Sequence, residues 1–204
     1  MKEDFFMTKL RNLLKESVQT FTTVGYLATL GILGALAIAL NYVASFDFGP
    51  YVRIGFSGLP NRITEFLFGP FVGAIFGALM DVLKFFLKPT GTFFPGFTLN
   101  AALGGIIYGA LLYKKPLKLW RVAVAEFLVK LFINCGLNTY WLSILYGKAF
   151  TVLLPARVLK NLIMLPIDTL ILFIFLTAIT KVLKTMKSSR HFLYPFEKNT
   201  TKES

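Results

Sequence analysis

Residues 67–113 read LFGPFVGAIFGALMDVLKFFLKPTGTFFPGFTLNAALGGIIYGALLY, two apolar helical segments around the connector KPTGTFFPGF. The first segment sets Gly73 and Gly77 four residues apart, and one further step of four reaches Asp81. Small residues at that spacing let two membrane helices approach closely. An acid on the same stripe faces the bundle interior, where it is costly without a partner or a function. The second segment repeats the device with Ala101, Gly105 and Gly109. Between the two, Pro89, Gly91 and Pro95 fix a turn that presents Phe93, Phe94 and Phe97. The stretch predicts a tight helix pair, a buried charge and a stiff aromatic loop, which suits a binding site at a membrane surface.

Composition widens this to the whole chain. Of 204 residues, 55% are hydrophobic, and mean hydropathy is +0.65, too high for an ordinary soluble domain. Apolar runs recur almost to the end, so one polytopic membrane domain is expected. The first twenty residues are charged and mixed, which argues against a cleavable signal peptide. Cys135 is alone, so no disulfide framework is expected. The net charge of +12 sits mostly in loops and tails between apolar runs. Attraction to anionic lipid and topology control explain it better than nucleic acid.

Taken in order, residues 1–20 form a basic lead, 21–184 a six-helix transmembrane domain and 185–204 a basic tail. The first span, Phe21 to Ser45, carries a small-residue ridge at Gly31, Ala35 and Ala39, a docking face for another helix. Asp47 to Pro60 is a Gly-, Pro- and aromatic-rich connector. The second apolar piece, Asn61 to Phe68, is either a short tilted span, the reading favoured here, or a re-entrant turn. Phe71 to Leu87 and Phe97 to Tyr113 are the third and fourth spans, and Leu119 to Tyr146 the fifth. Along the fifth, Glu126, Lys130, Asn134 and Asn138 recur every four residues and Trp141 follows, a continuous polar stripe. The sixth runs from about Val152 to Leu183, with Pro155 in its first turn and Pro166 bending its middle. Arg157, Asn161, Met164 and Asp168 share one of its faces.

Lysine and arginine placement sets orientation. The lead, the loop with Lys114, Lys115, Lys118 and Arg121, and the tail lie on one side, which places both termini in the cytoplasm. The opposite ends hold Arg53, Arg62, Lys84, Lys88, Lys148 and Arg157 against Asp47, Glu65 and Asp81, so a site there should prefer an anion.

The segments RIGFSGLP (Arg53 to Pro60), EFLFGPFVGAIFGALMD (Glu65 to Asp81) and LKPTGTFFPGFTLNAAL (Leu87 to Leu103) together resemble the folate-specific substrate-binding subunits (S components, FolT) of energy-coupling factor (ECF) vitamin transporters. The similarity extends over nearly the whole chain, and the KPTGxFFPGFT loop is its most specific piece. The resemblance implies an all-α, six-span S-component bundle in a bacterial cell membrane, with no cofactor and no ATPase of its own. It implies capture of folate or a reduced folate from outside, docking on a transmembrane coupling protein with two ATPase subunits, and delivery by toppling in the bilayer. Ala35 and Ala39 look like the alanine motif used for that docking. The chain carries no GxxxxGK[ST] phosphate loop.

Folate offers a flat pterin with a donor–acceptor edge, an aromatic linker and two carboxylates. Asn134, Asn138 and Trp141 have the chemistry to meet the pterin, although an asparagine in a span also serves to bond a neighbouring helix. Asp81 either accepts from the pterin amino group or pairs with Lys84; Glu65 has the same choice with Arg62. Glu126 and Lys130 are expected to pair structurally or to meet the coupling protein, and Asp168 to pack helices or dock. Arg53, Lys88 and Arg157 are candidates for the glutamate carboxylates, with Asn161 on the face of Arg157. Phe56, Phe93 and Phe94 either cover the ligand or anchor loops at the interface. His191 has no metal-site companions.

Other functions fare worse. Positive outer charge disfavours a cation such as thiamine, whereas riboflavin is not excluded. Membrane proteases and lipid phosphotransferases need clustered His or acids for metal, and this chain has one tail histidine and scattered acids. A channel is disfavoured by polar stripes closed with aromatic lids.

Overall fold

The computed structural model describes Ser17 and residues 20–43, 45–48, 52–89, 92–147 and 150–185; at 45–48, 52–55 and 184 only the backbone is described. The basic lead before Ser17, the tail beyond Thr185 with His191, the side chain of Arg53, and Thr90, Gly91 and Lys148 lie outside the described residues.

Helix α1 (Val24–Val43) is followed by an antiparallel hairpin, β1 (Ser45–Phe48) and β2 (Val52–Gly55), with Ser45 opposite Gly55 and Phe48 opposite Val52. A single 3-10 turn, Phe56–Gly58, leads into α2 (Leu59–Phe68). Then come α3 (Pro70–Leu87), α4 (Pro95–Leu112), α5 (Leu119–Tyr146) and α6 (Phe150–Thr185). The bundle is helical, as expected, and the connector adds a short two-stranded hairpin to it. Alternating residues and a Gly-Pro pair in SFDFGPYVRIG are hairpin chemistry that a reading for long apolar runs passes over.

Five helices, α1, α3, α4, α5 and α6, are long and apolar enough to cross a membrane. The second piece is different. With ten residues, α2 reaches about 15 Å, half of a hydrocarbon core. It is nonetheless well buried, through Pro60, Ile63, Thr64, Glu65, Phe66 and Phe68. Gly69 ends it at φ 89°, a left-handed conformation that favours glycine, and Pro70 starts α3 at once.

The glycine spacing of α3 and α4 does what it predicts. A Cβ on Gly105 would lie 2.5 Å from the Gly73 carbonyl, and one on Gly77 would lie 2.8 Å from the Ala101 oxygen. One on Gly109 would collide with Pro70. The helices therefore touch backbone to backbone. Around this pair the core gathers Leu30, Leu33 and Ala37 of α1, Val72, Phe76 and Met80 of α3, and Tyr108 and Leu112 of α4. Ile63, Phe66 and Phe68 of α2, Val122, Ala125, Val129 and Ile133 of α5, and Leu172 and Leu176 of α6 complete it.

Within α5, residues Val129–Leu137 open into π-helical turns before α geometry resumes at Asn138. Such widened turns are rare and recur at functional sites. Helix α6 runs unbroken through Pro155 and Pro166. Its 36 residues span about 54 Å, longer than a straight crossing requires.

Candidate functional site

Because α2 is short, it fills only part of the bundle's height. The Arg62 guanidinium lies over the Tyr108 ring at 3.8 Å, and Gly69 abuts Tyr113, so α2 runs beside the second half of α4. The level above it, toward the hairpin, is left to loops and side chains. One cavity lies on each side of the α2 start, and an aromatic layer joins the start of α4 to α5.

The inner cavity, about 290 Å³, lies between α2, α4, α5 and α6. Phe56, Arg62, Tyr108, Glu126, Lys130 and Asn134 line it, with Lys160, Asn161, Met164 and Asp168 from α6. Its charges are already engaged with one another. Both Glu65 oxygens accept from Arg62, at 2.7 and 2.9 Å, and Glu65 is 1% exposed. Of the two readings for Glu65, the geometry carries the ion pair. Lys130 reaches across to Asp168 at 2.5 Å, while Glu126 bonds the Tyr108 hydroxyl. Glu126 and Lys130 interact as charges on one face of α5, while each makes its hydrogen bond to a facing helix. A partner on a facing helix lets each group bond without leaving the bundle interior. Asp168 thereby ties α6 to α5.

Above these charges is an amide layer. Asn134 donates to Asn161 Oδ1 at 3.3 Å, Asn161 donates to the Arg157 carbonyl at 2.9 Å, and Arg157 donates to the Asn134 carbonyl at 3.4 Å. The shared face of α6 and the Asn134 end of the α5 stripe therefore meet. Asn138, the first residue after the widened turns, is half-buried and does not line the inner cavity.

The loop cavity, about 330 Å³, lies on the other side of α2, between α1, α2, α3 and the start of α4. Asn41, Asn61, Asp81, Lys84 and Lys88 supply its polar wall; Phe85, Phe93, Phe94 and Phe97 supply the aromatic one. Asp81 accepts from Thr98 at 2.8 Å, and Lys84 donates to the Ser57 carbonyl at 2.8 Å. The Lys88 ammonium lies 5.7 Å from the Tyr42 ring centre, and Tyr42 donates to the Leu87 carbonyl. The inward acid predicted from the glycine stripe is there, held by a hydroxyl.

The aromatic layer joins α4 to α5. Phe94 sits against Trp141, ring centres 5.5 Å apart and tilted by 48°, and Phe94 also meets Phe97 edge-on. Gly96 makes this possible: a Cβ there would come 2.5 Å from the Phe94 ring and 2.7 Å from Trp141. Trp141 donates its indole N–H to Asn100 Oδ1 at 3.2 Å. Asn100 was missed by the sequence reading, as were Asn41, Asn61 and Lys160. The signal for Asn100 was available, since it is an amide inside an apolar segment. No group of His, Cys, Asp and Glu suited to a metal occurs among the described residues.

On α1, Gly31, Ala35 and Ala39 are exposed, while Leu30, Leu33, Gly34, Ala37 and Asn41 face the bundle. A Cβ on Gly31 would meet nothing within 4 Å. The small-residue ridge therefore faces away from the bundle.

Comparison with known proteins places the fold. The family described as "ECF transporter, substrate-specific component" matches residues 25–176. Among curated proteins, the folate transporter FolT of Clostridium novyi (strain NT) is 41% identical over 124 residues, covering 61% of this chain and 72% of the relative. The folate transporter FolT of Leuconostoc mesenteroides is 34% identical over 145 residues, covering 67% of this chain and 78% of that one. A solved structure described as "Crystal structure of FolT bound with folic acid" superposes with a TM-score of 0.67 at 35% identity, covering 74% of this chain and 90% of its own. Its named relatives are transporters, its long helices are those of a multi-pass membrane protein, and the chain belongs to the substrate-specific components of ECF transporters.

Proposed function

We propose that this chain captures folate at the hairpin end of the bundle, from outside a bacterial cell, and delivers it inward together with an ECF coupling protein and two ATPase subunits. The names of the relatives and the folic-acid-bound neighbour support the ligand. The observation that carries the site is the aromatic–amide layer of Phe94, Trp141 and Asn100, with Asn138 and the hairpin residue Arg53 at the same end. An aromatic platform receives the pterin face, and amides read its edge; both gain from water exclusion. Asp81, Lys84 and Lys88 in the adjoining loop cavity supply a carboxylate for pterin donors and cations for the glutamate tail. Asn134, Arg157 and Asn161 form the floor, and Phe56 and Phe94 cover the ligand.

In this reading residues 21–184 cross the bilayer six times, the half-length α2 and its hairpin counting as the second crossing. Both termini are cytoplasmic, on the side of Lys114, Lys115, Lys118 and Arg121, with residues 1–20 and 185–204 as basic ends. The outward ridge of Gly31, Ala35 and Ala39 on α1 docks the coupling protein, because small residues admit a partner helix closely. The chain itself performs no catalysis and needs no cofactor.

The reading is tested by titrating the purified protein with folic acid, 5-formyltetrahydrofolate, riboflavin and thiamine. We expect one-to-one binding of the folates alone. Riboflavin binding without any folate signal would overturn the ligand and leave the family unchanged.

A further inference from the structure

Asn100 lies in the first turns of α4 and is 8% exposed. Its Oδ1 accepts the Trp141 indole N–H. An indole nitrogen only donates, so this bond removes the ambiguity of the carboxamide: oxygen faces Trp141 and the NH2 group points elsewhere. Among the described residues, that Asn100 Nδ2 is buried with no hydrogen-bond partner. Buried donors are almost always satisfied, and one that the protein leaves open is a place where a ligand acceptor is strongly favoured. The open donor belongs to the residue that bonds Trp141, whose ring meets Phe94 to form the aromatic platform.

We propose that Asn100 is a specificity-determining residue that donates to the exocyclic oxo oxygen of the pterin and so selects 4-oxo over 4-amino pterins. The proposal rests on the folate reading above. A flat heterocycle placed on Phe94 and Trp141 turns its edge toward groups flanking those rings. The carbonyl oxygen is the strongest neutral acceptor on that edge. An amino group in its place sets donor against donor, leaving both without an acceptor. Sites built on such a bond reject the mismatched analogue by large factors. Trp141 is the positioning partner, because its N–H fixes which way the amide faces.

The test compares folic acid with aminopterin, which carries an amino group where folic acid has the oxo oxygen. Dissociation constants for both ligands are measured on the same preparation, so a reduced folded fraction cancels in their ratio. Wild type should favour folic acid on the order of 10- to 100-fold. Asn100→Leu should bring the ratio close to one, mainly by weakening folic acid. Trp141→Phe keeps an aromatic ring but frees the amide to turn, and should lower the ratio by a smaller factor. Equal binding of the two ligands by wild type, or a ratio unchanged in Asn100→Leu, would overturn the assignment. Absence of any folate binding by wild type would instead refute the folate reading beneath it.

Discussion

Between α3 and α4 the contact is backbone on backbone, made by Gly73 against Gly105 and Gly77 against Ala101. Between α5 and α6 it is side chain on side chain, made by Lys130 with Asp168 and Asn134 with Asn161. The first pair leaves no space for one methyl group, whereas the second lines a cavity of about 290 Å³. In lipid, where apolar side chains gain little by leaving the solvent, these are the two available ways to hold helices together. The difference separates tasks. The tight pair is a rigid mount for the loop that carries Phe94, and the open pair keeps polar groups apart from lipid while leaving room inside.

The sharpest way to break this contrast is to place bulk in the tight pair. Gly105→Leu should abolish folded protein or cost roughly 3 kcal/mol or more, because backbone atoms of Gly73 cannot move aside as a flexible side chain can. Size-exclusion profile and thermal melting in detergent report it. A Gly105→Leu variant as stable as wild type would mean that the two helices are not in contact as described.

A smaller effect is expected on the open side. Lys130→Met leaves the Asp168 carboxylate without its cation and should cost about 2 kcal/mol, less than a fully enclosed pair because Asp168 is 36% exposed. The double variant Lys130→Met with Asp168→Leu should regain most of that loss, since two apolar side chains suit the interior. Failure of the second change to restore stability would show that the pair contributes more than its charges neutralise. The smallest effect belongs to a side-chain bond at the loop end of the tight pair: Thr98→Val removes the hydroxyl that donates to Asp81 and should cost about 1 kcal/mol, read as a modest fall in melting temperature.

These regions also differ in how far the chain announces them. Gly73, Gly77, Gly105 and Gly109 are legible because a step of four is local and reports one helix face. Asp81 was placed inward for the same reason. On α5 the same rule is incomplete: Glu126 and Lys130, four apart, share a face and interact as charges, yet Lys130 makes its hydrogen bond to Asp168, 38 residues away. A side chain as long as lysine chooses among all facing helices, and spacing says nothing about those. The widened turns of Val129–Leu137 then interrupt the polar stripe, so Asn134 lines the inner cavity and Asn138 does not. Asn100 was passed over because the residue that orients it, Trp141, is 41 positions on. The half-length α2 was seen as short, but that its shortness leaves loops to form two cavities depends on packing against α4. Family resemblance supplied the ligand expectation, and residue spacing alone would have stopped at a membrane-surface binding site.

The central claim, that folate is held at the Phe94–Trp141 layer, has a direct optical test. The chain has two tryptophans, Trp141 in that layer and Trp120 at the start of α5, 59% exposed. In Trp120→Phe the remaining emission comes from Trp141, and folic acid should quench it with saturation at one equivalent. In Trp141→Phe the same titration should leave the Trp120 emission nearly unchanged once absorption by folic acid is corrected. Saturable quenching of Trp120 with no change at Trp141 would contradict the account.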